Sequence, residues 1–569
     1  MSKFKQPKFK KTDQQRVLRF VPLGGAGMVT RNMFAYECGE DIVIIDCGIG
    51  FPDSEMLGVD VTIPDISYLE KEGRRSRVRG IVISHAHYDH FGALPHLLPR
   101  LPVPVYGSRL TLEFVKASLA DKGSPEQHNL IEIIPEKGSF SLGCFRITPF
   151  RVCHSVPDAL GFFIETPAGN VFHVPDYKFD WTPLDGKLFE VGKVAQLAGG
   201  ARPLVLVSDC LGANDKGYTL SERAIGDSLA REIEGAQEQL FVVTVSSNIS
   251  RIAQSVTAAR ACGRKVCFLG RSMEKSGAIA EKLGYLTFSR GEIVPPRQAK
   301  KFDQSQLVYI AAGCYGQHGS AIERLSREEH SLVDLKKGAK VIFSGDPSPP
   351  GARNSVDVVI DRLITQGAQV SYYEIQENMH VSGHGTAGDI QMLMGLVNPK
   401  FLIPIGGAPK HMRSYSVLAQ EMGHPVDNIL ELQEGQLLDF SGEKVRRGKF
   451  PFRDVLVDGL RVGDVGEVVL KDRRILADDG VVVLIVPIAT KTGRISGSVE
   501  IATRGFVYVK ESQELLSKLE RVVRKAVEST PPKKRDWKKL RRQIERQASQ
   551  FITTETGRAP LILPVIIKT

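Results

Sequence analysis

The stretch Ser84-His85-Ala86-His87-Tyr88-Asp89-His90 decides the fold of this chain. It follows an apolar run, Gly80–Ile83, which is typical of a buried strand. Three histidines and one aspartate within six residues are a poor fit to a packing role. Because alternate residues of an extended loop point the same way, His85 and His87 can converge on one metal ion. Asp89 and His90 then reach a second position beside it.

Imidazole and carboxylate groups suit zinc or manganese. Two such ions held close together can activate a water molecule and also bind the oxygens of a phosphodiester. The alternative interpretation is a surface loop that happens to be rich in histidine, which requires both the spacing and the preceding strand to be accidental. The pattern therefore predicts a dinuclear metal site at the end of a strand.

The bulk composition limits the class of protein. A chain of 569 residues suggests about three or four domains. A hydrophobic content of 42% and a charged content of 25% are ordinary for a globular protein. The eight cysteines form no Cys-x-x-Cys pair, which favours reduced thiols and a cytoplasmic location. No apolar run has the length of a membrane span, and the net charge of +10 suits a polyanionic partner.

Short apolar strands and turns alternate from Val17 onward, as an αββα sandwich requires. Further apolar segments are separated by helical stretches, which is the pattern of a parallel sheet with crossover helices. These segments are Leu204–Ser208, Phe241–Val245, Val266–Leu269, Leu307–Ala311 and Val341–Ser344. We find no internal repeat.

Motifs along the whole chain resemble the ribonuclease J family of the metallo-β-lactamase fold. Besides the histidine-rich stretch, they are Leu23-Gly24-Gly25, Asp46-Cys47-Gly48, Phe51-Pro52-Asp53, Glu55-Met56-Leu57-Gly58, His154-Ser155-Val156-Pro157-Asp158, Pro175-Asp176-Tyr177-Lys178-Phe179-Asp180 and His380-Val381-Ser382-Gly383-His384-Gly385. The match runs from about Arg16 to the last residue. It implies an α/β protein: an αββα metallo-β-lactamase sandwich with an inserted β-CASP parallel-sheet domain and a small α+β C-terminal domain.

The resemblance and the composition together predict the following order along the chain. A basic tail occupies residues 1–15. The metallo-β-lactamase domain is in two parts, 16–218 and 367–445, and the β-CASP domain, 219–366, is inserted between them. A linker at 446–460 leads to the C-terminal domain at 461–569. The basic cluster Lys533–Arg542 is interpreted as a helix whose inner face carries Leu540, Ile544 and Ala548. A solvated helix face is the simpler account of this cluster, and RNA binding is the alternative.

The resemblance also implies the ligands of two divalent ions, zinc first, with manganese or magnesium as alternatives. One ion takes His85, His87 and His154, the other takes Asp89 and His90, and Asp176 bridges both. His154 and Asp176 each follow an apolar run, so both are expected where strands end, although a structural hydrogen-bonding role is an alternative for each. His173 has the wrong parity relative to Asp176 and is expected to be buried structure.

Two positions depart from the family pattern. Gly406 stands where the family closes the second site with a histidine, and glycine has no side chain to coordinate a metal. The second site is therefore expected to be weaker, with His411 as a possible replacement ligand. Tyr88 stands where a glutamate is common.

Other residues are assigned to catalysis and substrate. The resemblance implies that His384 stabilises the transition state or protonates the leaving oxygen, and that Asp209 orients a metal-ligating histidine. Asp89, Asp209 and His384 are the predicted catalytic residues. Small residues around His384 let a phosphate approach the backbone. Predicted substrate-binding residues are Phe51, Ser246, Ser247, Asn248, Arg271, Ser272, His380, Ser382, Gly383, His384 and Gly385. A helix N-cap is the alternative role for Ser246–Asn248 and for Gly270–Ser272.

The leading hypothesis is a metal-dependent ribonuclease with 5′→3′ exonuclease and endonuclease action on single-stranded RNA. Such an enzyme would serve rRNA maturation and mRNA decay and would prefer a 5′-monophosphate. The alternative, which rests on Gly406, is a weak or inactive RNA-binding subunit beside an active paralogue. A small-molecule hydrolase is disfavoured by the long insert and the basic charge. The resemblance and apolar segments at Val481–Val486 and Leu561–Ile567 predict a dimer or tetramer through the C-terminal domain.

Overall fold

The computed structural model describes residues 17–53, 55–123, 128–200, 203–345, 352–372, 379–459, 461–463, 466–507, 512–529 and 536–569. The chain forms two compact units, which we describe separately. The first contains Val61–Val455 and the residues up to Phe51, and the second contains Pro52–Asp60 and Leu456–Thr569. Among the described residues, no helix has both the length and the hydropathy needed to cross a bilayer. The predicted basic tail lies outside the described residues.

An eight-stranded mixed sheet forms one layer of the first unit. Its strands, in order across the sheet, are Lys444–Lys449, Gln436–Ser441, Val17–Gly24, Met33–Cys38, Asp41–Ile45, Val78–Val82, Val105–Gly107 and Leu130–Glu132. The strand Val78–Val82 has a parallel neighbour on each side, Asp41–Ile45 and Val105–Gly107. This central position explains why Gly80, Ile81 and Val82 are all buried, and it fixes the point from which the histidine-rich stretch emerges.

A six-stranded sheet faces the first one. Its strands, in order, are Phe401–Ile405, Val205–Asp209, Gly169–Val174, Leu160–Thr166, Phe145–Arg151 and Phe140–Leu142. Phe20 and Tyr36 of the first sheet share one apolar core with Phe162 and Val207 of the second. The other face of the second sheet packs against the helices Val191–Gly200, Ala387–Val397 and Pro409–Glu421. The predicted sandwich is thus confirmed.

The remaining helices of this sandwich are short or lie at its edge. They are Ser67–Glu70, Tyr88–Phe91, Leu94–Leu97 and Arg109–Asp121. Single 3₁₀ turns in the first unit lie at Arg74–Arg77, Pro135–Lys137, Pro296–Lys301, Gln304–Gln306 and Val426–Asn428.

The inserted domain of the first unit is built on a five-stranded, all-parallel sheet, as predicted. Its strands, in order, are Lys265–Leu269, Leu307–Ala312, Leu240–Thr244, Lys340–Phe343 and Gln369–Ser371. Its helices are Arg223–Glu234, Ile249–Ala261, Arg271–Leu283, Ala321–Ser326 and Ala352–Thr365. The apolar segment predicted at Leu204–Ser208 belongs instead to the six-stranded sheet, as the strand Val205–Asp209.

Two predicted boundaries differ from the strands observed. The strand Gln369–Ser371 pairs with Lys340–Phe343, so the insert sheet continues beyond the predicted end at residue 366. It was missed because it is short and polar. Residues 444–449 form a strand paired with Gln436–Ser441, where a linker was predicted from residue 446. Exposed cationic residues and a glycine are typical of linkers, but they also suit an edge strand.

The second unit contains a three-stranded sheet covered by helices on one face. Val481–Ile488 lies between the antiparallel strand Glu500–Arg504 and the parallel strand Leu561–Lys568. The helices Gln513–Glu528 and Trp537–Thr556 pack against it, and a third helix spans Glu467–Asp478. A hairpin pairs Val455–Asp458 with Arg461–Val462. Leu540, Ile544 and Ala548 are fully buried, which confirms the predicted inner face of the basic helix; Lys533–Arg535 lie outside the described residues.

The other face of this sheet is apolar and open in the described chain. Leu563, Val565 and Ile567 are 43%, 39% and 46% exposed. They lie beside Val483, Ile485 and Pro487 of the neighbouring strand. We call these six residues the C-terminal apolar face.

Candidate metal centre

The histidine-rich stretch changes from extended chain to one helical turn, which brings its side chains to the same point. His87 has extended backbone angles (φ −91°, ψ 143°) and immediately precedes the helix Tyr88–Phe91. His85 and His87 therefore lie on the extended part, whereas Asp89 and His90 lie on the first turn of the helix.

The first group of ligand atoms matches a tetrahedral zinc site. The Nδ1 atom of His87 lies 3.1 Å from Nε2 of His85 and 3.0 Å from Nε2 of His154. The Oδ2 atom of Asp176 is 3.5 Å from the same two Nε2 atoms. Ligands about 2.0–2.1 Å from one zinc ion in tetrahedral geometry lie about 3.3 Å apart. The four residues named in the sequence prediction are thus brought together at the required spacing.

A second group of ligand atoms shares Asp176 with the first. The Nε2 atom of His90 lies 3.3 Å from Oδ2 of Asp176 and 3.5 Å from Oδ2 of Asp89. All three residues offer ligand atoms within 4.8 Å of one another. Asp176 therefore belongs to both groups of candidate ligands.

The nitrogen of each histidine that faces away from the cluster has a polar neighbour. Nδ1 of His85 is 2.9 Å from the Ser84 hydroxyl, and Nε2 of His87 is 3.3 Å from the Ser155 hydroxyl. Nδ1 of His154 donates to the Gly383 carbonyl at 2.7 Å. Because a carbonyl can only accept, this contact leaves the lone pair of His154 on Nε2, the atom that faces the cluster.

Sequence reasoning missed the role of Asp46. Its carboxylate is fully buried and lies 2.8 Å from Nδ1 of His90. It also accepts from the backbone N–H and the hydroxyl of Ser84, at 2.8 and 2.9 Å. Asp46 therefore supports one ligand directly and, through Ser84, a second ligand, His85. The only signal in the sequence was its position at the end of a buried strand, in Asp46-Cys47-Gly48.

Burial keeps the first group of histidines neutral. It lowers the pKa of His87 to about 3 and the pKa values of His85 and His154 well below the ordinary value. Neighbouring imidazoles act in the same direction. A neutral imidazole is the form that binds a metal ion, so these side chains need no deprotonation at neutral pH.

His384 is held at the edge of the cluster by Asp209. Its Nδ1 lies 2.7 Å from Oδ2 of Asp209, and its Nε2 lies 3.8 Å from Oδ2 of Asp176. Burial opposes the charged imidazole, but the Asp209 and Asp176 carboxylates raise the pKa of His384 to about 9. Asp209, predicted to orient a metal-ligating histidine, contacts His384, and the two form a further group of candidate ligands with Asp176. Asp209 is the last residue of its strand, next to the strand Phe401–Ile405. Its Oδ1 accepts from the Leu211 N–H at 2.8 Å, which leaves Oδ2 for His384.

Gly406 borders the cluster without contributing to it. A Cβ atom added there would lie 3.3 Å from Oδ1 of Asp209, with no other neighbour within 4 Å. Its φ of +66° is a conformation that glycine adopts most easily. Nδ1 of His411 accepts a hydrogen bond from the Ala408 N–H at 3.1 Å, at the start of a helix. The ligand groups found among the described residues do not include His411.

The predicted substrate residues divide between two places. Ser382–Gly385 lie against the cluster, through the Gly383 carbonyl and His384. Ser246, Ser247 and Asn248 follow a strand of the insert sheet, and Asn248 caps the next helix by accepting from the Arg251 N–H at 2.9 Å. That is the alternative role considered for this segment.

The other predicted substrate residues are spread more widely. Arg271 and Ser272 begin the helix Arg271–Leu283, and Arg271 is exposed. Phe51 is 45% exposed, which leaves its ring available for stacking, and His380 is half-buried. Arg251, three residues after Asn248, is fully buried in an ion network. His173 is buried against the Tyr36 hydroxyl at 2.8 Å, as expected for a structural residue.

Family models match four parts of the chain. They describe a beta-lactamase superfamily domain at residues 42–198, the ribonuclease J beta-CASP domain at 237–363, a Zn-dependent metallo-hydrolase RNA specificity domain at 372–429 and the ribonuclease J C-terminal domain at 468–569. The matches together cover both units.

Curated relatives match over nearly the whole length. Ribonuclease J2 of Bacillus subtilis is 34% identical over 98% of this chain and 100% of its own. Ribonuclease J of Thermus thermophilus is 36% identical over 97% of this chain and 95% of its own. A solved structure of a protein of unknown function from Enterococcus faecalis V583 covers 78% of this chain and 100% of that chain, with a TM-score of 0.51 and 14% identity, and supports the fold alone.

Proposed function

Since this chain belongs to the ribonuclease J family, we propose that it is a metal-dependent ribonuclease that hydrolyses single-stranded RNA. The single observation that carries the proposal is the convergence of six candidate ligand residues in two groups that share Asp176, which also forms a third group with Asp209 and His384. A site with this donor set, on a chain matched by an RNA-specificity domain, fits phosphodiester hydrolysis.

His85, His87 and His154 would hold one divalent ion, Asp89 and His90 a second, and Asp176 both. Zinc suits the nitrogen-rich first group best, and manganese or magnesium are alternatives for the second. When bound, the ions would lower the pKa of a water molecule and neutralise the charge on the phosphate.

The protein's own groups supply orientation and a proton. Asp209 fixes the ring of His384 and favours its protonated form, with Nε2 facing the cluster. A protonated His384 donates to the oxygen that leaves the phosphorus atom, or stabilises its negative charge. The products would be a 5′-phosphate and a 3′-hydroxyl. The small residues Gly383 and Gly385 leave room for the RNA backbone beside this ring.

The non-catalytic subunit is the less favoured hypothesis. Gly406 removes one ligand from the second site, but the other six ligands keep their spacing and their supporting hydrogen bonds. The buried Asp46 carboxylate that orients His90 is a further feature of a site that binds metal. We therefore place the effect of Gly406 on metal affinity rather than on the existence of activity.

The proposal is tested with purified protein and 5′-monophosphorylated RNA carrying a 3′-end label. In Mn²⁺ or Mg²⁺, the label should pass to the 3′-terminal nucleotide if the protein degrades from the 5′ end, and to 3′ fragments of discrete lengths if it cuts within the chain. RNA with a 5′-triphosphate should be degraded more slowly. If the protein is folded by circular dichroism and does not cleave RNA at saturating metal, the proposal is contradicted.

We further propose that two copies associate through the C-terminal apolar face. Leu563, Val565 and Ile567 are each about two-fifths exposed beside an apolar neighbouring strand. Exposure of such an apolar face to water is energetically unfavourable, and the identical face of a second copy could cover it. Roles in rRNA maturation and mRNA decay, alone or beside a paralogue, remain part of the proposal.

A further inference from the structure

The chain returns from the insert to the sandwich through Met379–His384, which we call the return segment. Three successive residues of this segment hold the centre together. The Ser382 hydroxyl accepts from the His384 N–H at 3.0 Å, the Gly383 carbonyl accepts from His154, and His384 binds Asp209. A small displacement of this segment would therefore move both a metal ligand and the proposed proton donor.

Lys178 holds one end of the return segment. Its Nζ donates to the Ser382 carbonyl at 3.1 Å and to the Leu220 carbonyl at 3.2 Å. Leu220 belongs to the outgoing connection to the insert, so one ammonium group joins both connections. Lys178 stands two residues after Asp176 and its side chain is 0% exposed.

Arg251 holds the other end. Its Nη1 donates to the Ser344 carbonyl at 3.3 Å and also contacts the Ser344 hydroxyl. That hydroxyl in turn donates to the Met379 carbonyl at 2.7 Å. Ser344 directly follows the strand Lys340–Phe343 of the insert sheet, so this contact ties the return segment to the insert.

Glu222 joins the two cations. Its Oε1 accepts from Lys178 at 3.1 Å and its Oε2 from Arg251 at 3.0 Å. The side chain of Glu222 is 4% exposed and those of the two cations are 0% exposed. Buried ion networks contribute little net stability compared with apolar residues, so stability alone is a poor account of this one.

We propose that Lys178, Glu222 and Arg251 form a buried clamp that positions the return segment at the metal centre. They are positioning residues, because none of them reaches the cluster itself. The clamp links the insert sheet, through Ser344 and Arg251, to Gly383 and His384. Its effect on catalysis rests on the proposed ribonuclease activity, whereas its effect on the return segment does not.

The clamp is tested with Lys178→Met in the full-length protein. This substitution leaves Glu222 paired with Arg251, so neither remaining buried charge is left without an opposite charge. It removes the donor to the Ser382 carbonyl. Lys193→Met is the matched control, because Lys193 also donates to a backbone carbonyl, that of Pro135 at 3.2 Å, and pairs with a carboxylate, Glu190 at 3.6 Å.

We expect kcat of Lys178→Met on 5′-monophosphorylated RNA to fall by about 10–100-fold at saturating Mn²⁺, because small misplacements of reacting groups have effects of that size. KM should change by less than about threefold, and the control should match the wild type in both constants. In hydrogen–deuterium exchange, peptides covering residues 379–386 should exchange faster in Lys178→Met than in the wild type or the control, while the strands of the two sandwich sheets keep their protection.

Ser344→Ala provides a second variant that changes one hydroxyl at the other end of the clamp and should show the same pattern, with a smaller loss of kcat. Wild-type kcat and wild-type exchange in a folded Lys178→Met would overturn the clamp. So would a loss of protection spread evenly over the sandwich in both variants. If the wild type itself fails to cleave RNA, the proposed function falls, and the exchange of residues 379–386 still decides the clamp.

Discussion

His87 shows how much a single residue contributes to this centre. Its Nδ1 lies within 3.1 Å of two other ligand nitrogens, and its backbone immediately precedes a helical turn. Burial, which lowers its pKa to about 3, keeps it neutral. The same side chain contacts Ser155 on its far side. Position, charge state and orientation are therefore all set by its neighbours.

Replacing His87 or Asp89 with alanine should abolish RNA cleavage and leave the fold intact. Both residues lie at the mouth of the sandwich and are only partly buried. Since even a partner of a metal ligand is worth about 10–100-fold in affinity or activity, we expect a loss of cleavage above about 100-fold. Metal content by mass spectrometry should fall with it. His96→Ala, in the helix Leu94–Leu97, is the control and should behave as wild type. Undiminished cleavage by either variant would contradict the metal mechanism.

Gly406→His should raise the affinity of the second site for metal. A Cβ atom at this position would have one neighbour within 4 Å, Oδ1 of Asp209 at 3.3 Å, so a side chain there requires a small shift of this carboxylate. The positive φ costs about 1–2 kcal/mol for a residue with a Cβ, although histidine tolerates it better than most. Losing a ligand costs about 10–100-fold in affinity, or roughly 1.4–2.8 kcal/mol, so the gain should exceed the strain toward the upper end of this range.

Titration of Mn²⁺ against cleavage separates this expectation from its alternative. His411→Ala should leave the metal requirement unchanged, because its Nδ1 already caps a helix. If His411→Ala raises the Mn²⁺ requirement and Gly406→His does not lower it, the loop rearranges in solution and His411 supplies the ligand.

At the scale of the element, the histidine-rich turn was predictable because its four candidate ligands lie within six residues and its change from extended chain to a helical turn occurs within that stretch. Asp46 was not, since its partners lie 38 and 44 residues away and reach it only through a parallel pairing of strands. The strand Lys444–Lys449 was missed because charge and exposure look alike in a linker and in an edge strand. The clamp was also missed because its contacts join residues that are far apart in the sequence. Lys178 and Ser382 are separated by 204 residues.

Glu222→Gln should give a stability difference that depends on pH. Burial raises the pKa of this carboxyl, but Lys178 and Arg251 outweigh it and hold the pKa below its ordinary value. Glu222 therefore stabilises the folded protein above pH about 4.5, and this contribution is lost as the pH falls through the folded pKa. At pH 7 the variant leaves two buried cations unpaired and should lose about 3–5 kcal/mol.

Thermal melts from pH 7 to below pH 4 measure this difference. The Tm gap between wild type and Glu222→Gln should begin to narrow below about pH 4.5 and continue to narrow as the pH falls further, while Glu281→Gln, at an exposed position, should give no gap at any pH. A Tm difference that stays constant over this pH range would show that the protonation of Glu222 is the same in the folded and unfolded states, and would contradict the prediction.

At the scale of the whole molecule, the C-terminal apolar face should control the oligomeric state. Val565→Lys places a charge on a side chain that is 39% exposed and should convert a dimer into monomers of reduced activity. Leu476→Lys is the control, since this residue of the same unit is 41% exposed but lies on a helix. Sedimentation velocity measures the outcome, and a Val565→Lys protein that sediments like the wild type would refute this interface.

Truncation after Lys449 is a less clean test of the same interface. It would also remove Phe450 and Asp454, which belong to the first unit. Phe450 packs edge-on against Tyr68, with ring centroids 5.4 Å apart, and Asp454 pairs with the buried Arg31 at 2.7 Å. A cut after Val455 keeps these contacts and should give a folded first unit.

The pairing of Val17–Gly24 with Gln436–Ser441 has a consequence for synthesis on the ribosome. Arg19 and Asp439, which meet across these strands at 2.6 Å, are 420 residues apart. At roughly 5–20 residues per second, about 20–85 s pass before the second strand exists. Throughout that time one edge of the first strand offers unpaired N–H and C=O groups to any other nascent chain. The interval before residue 441 emerges is therefore when this protein depends most on chaperones.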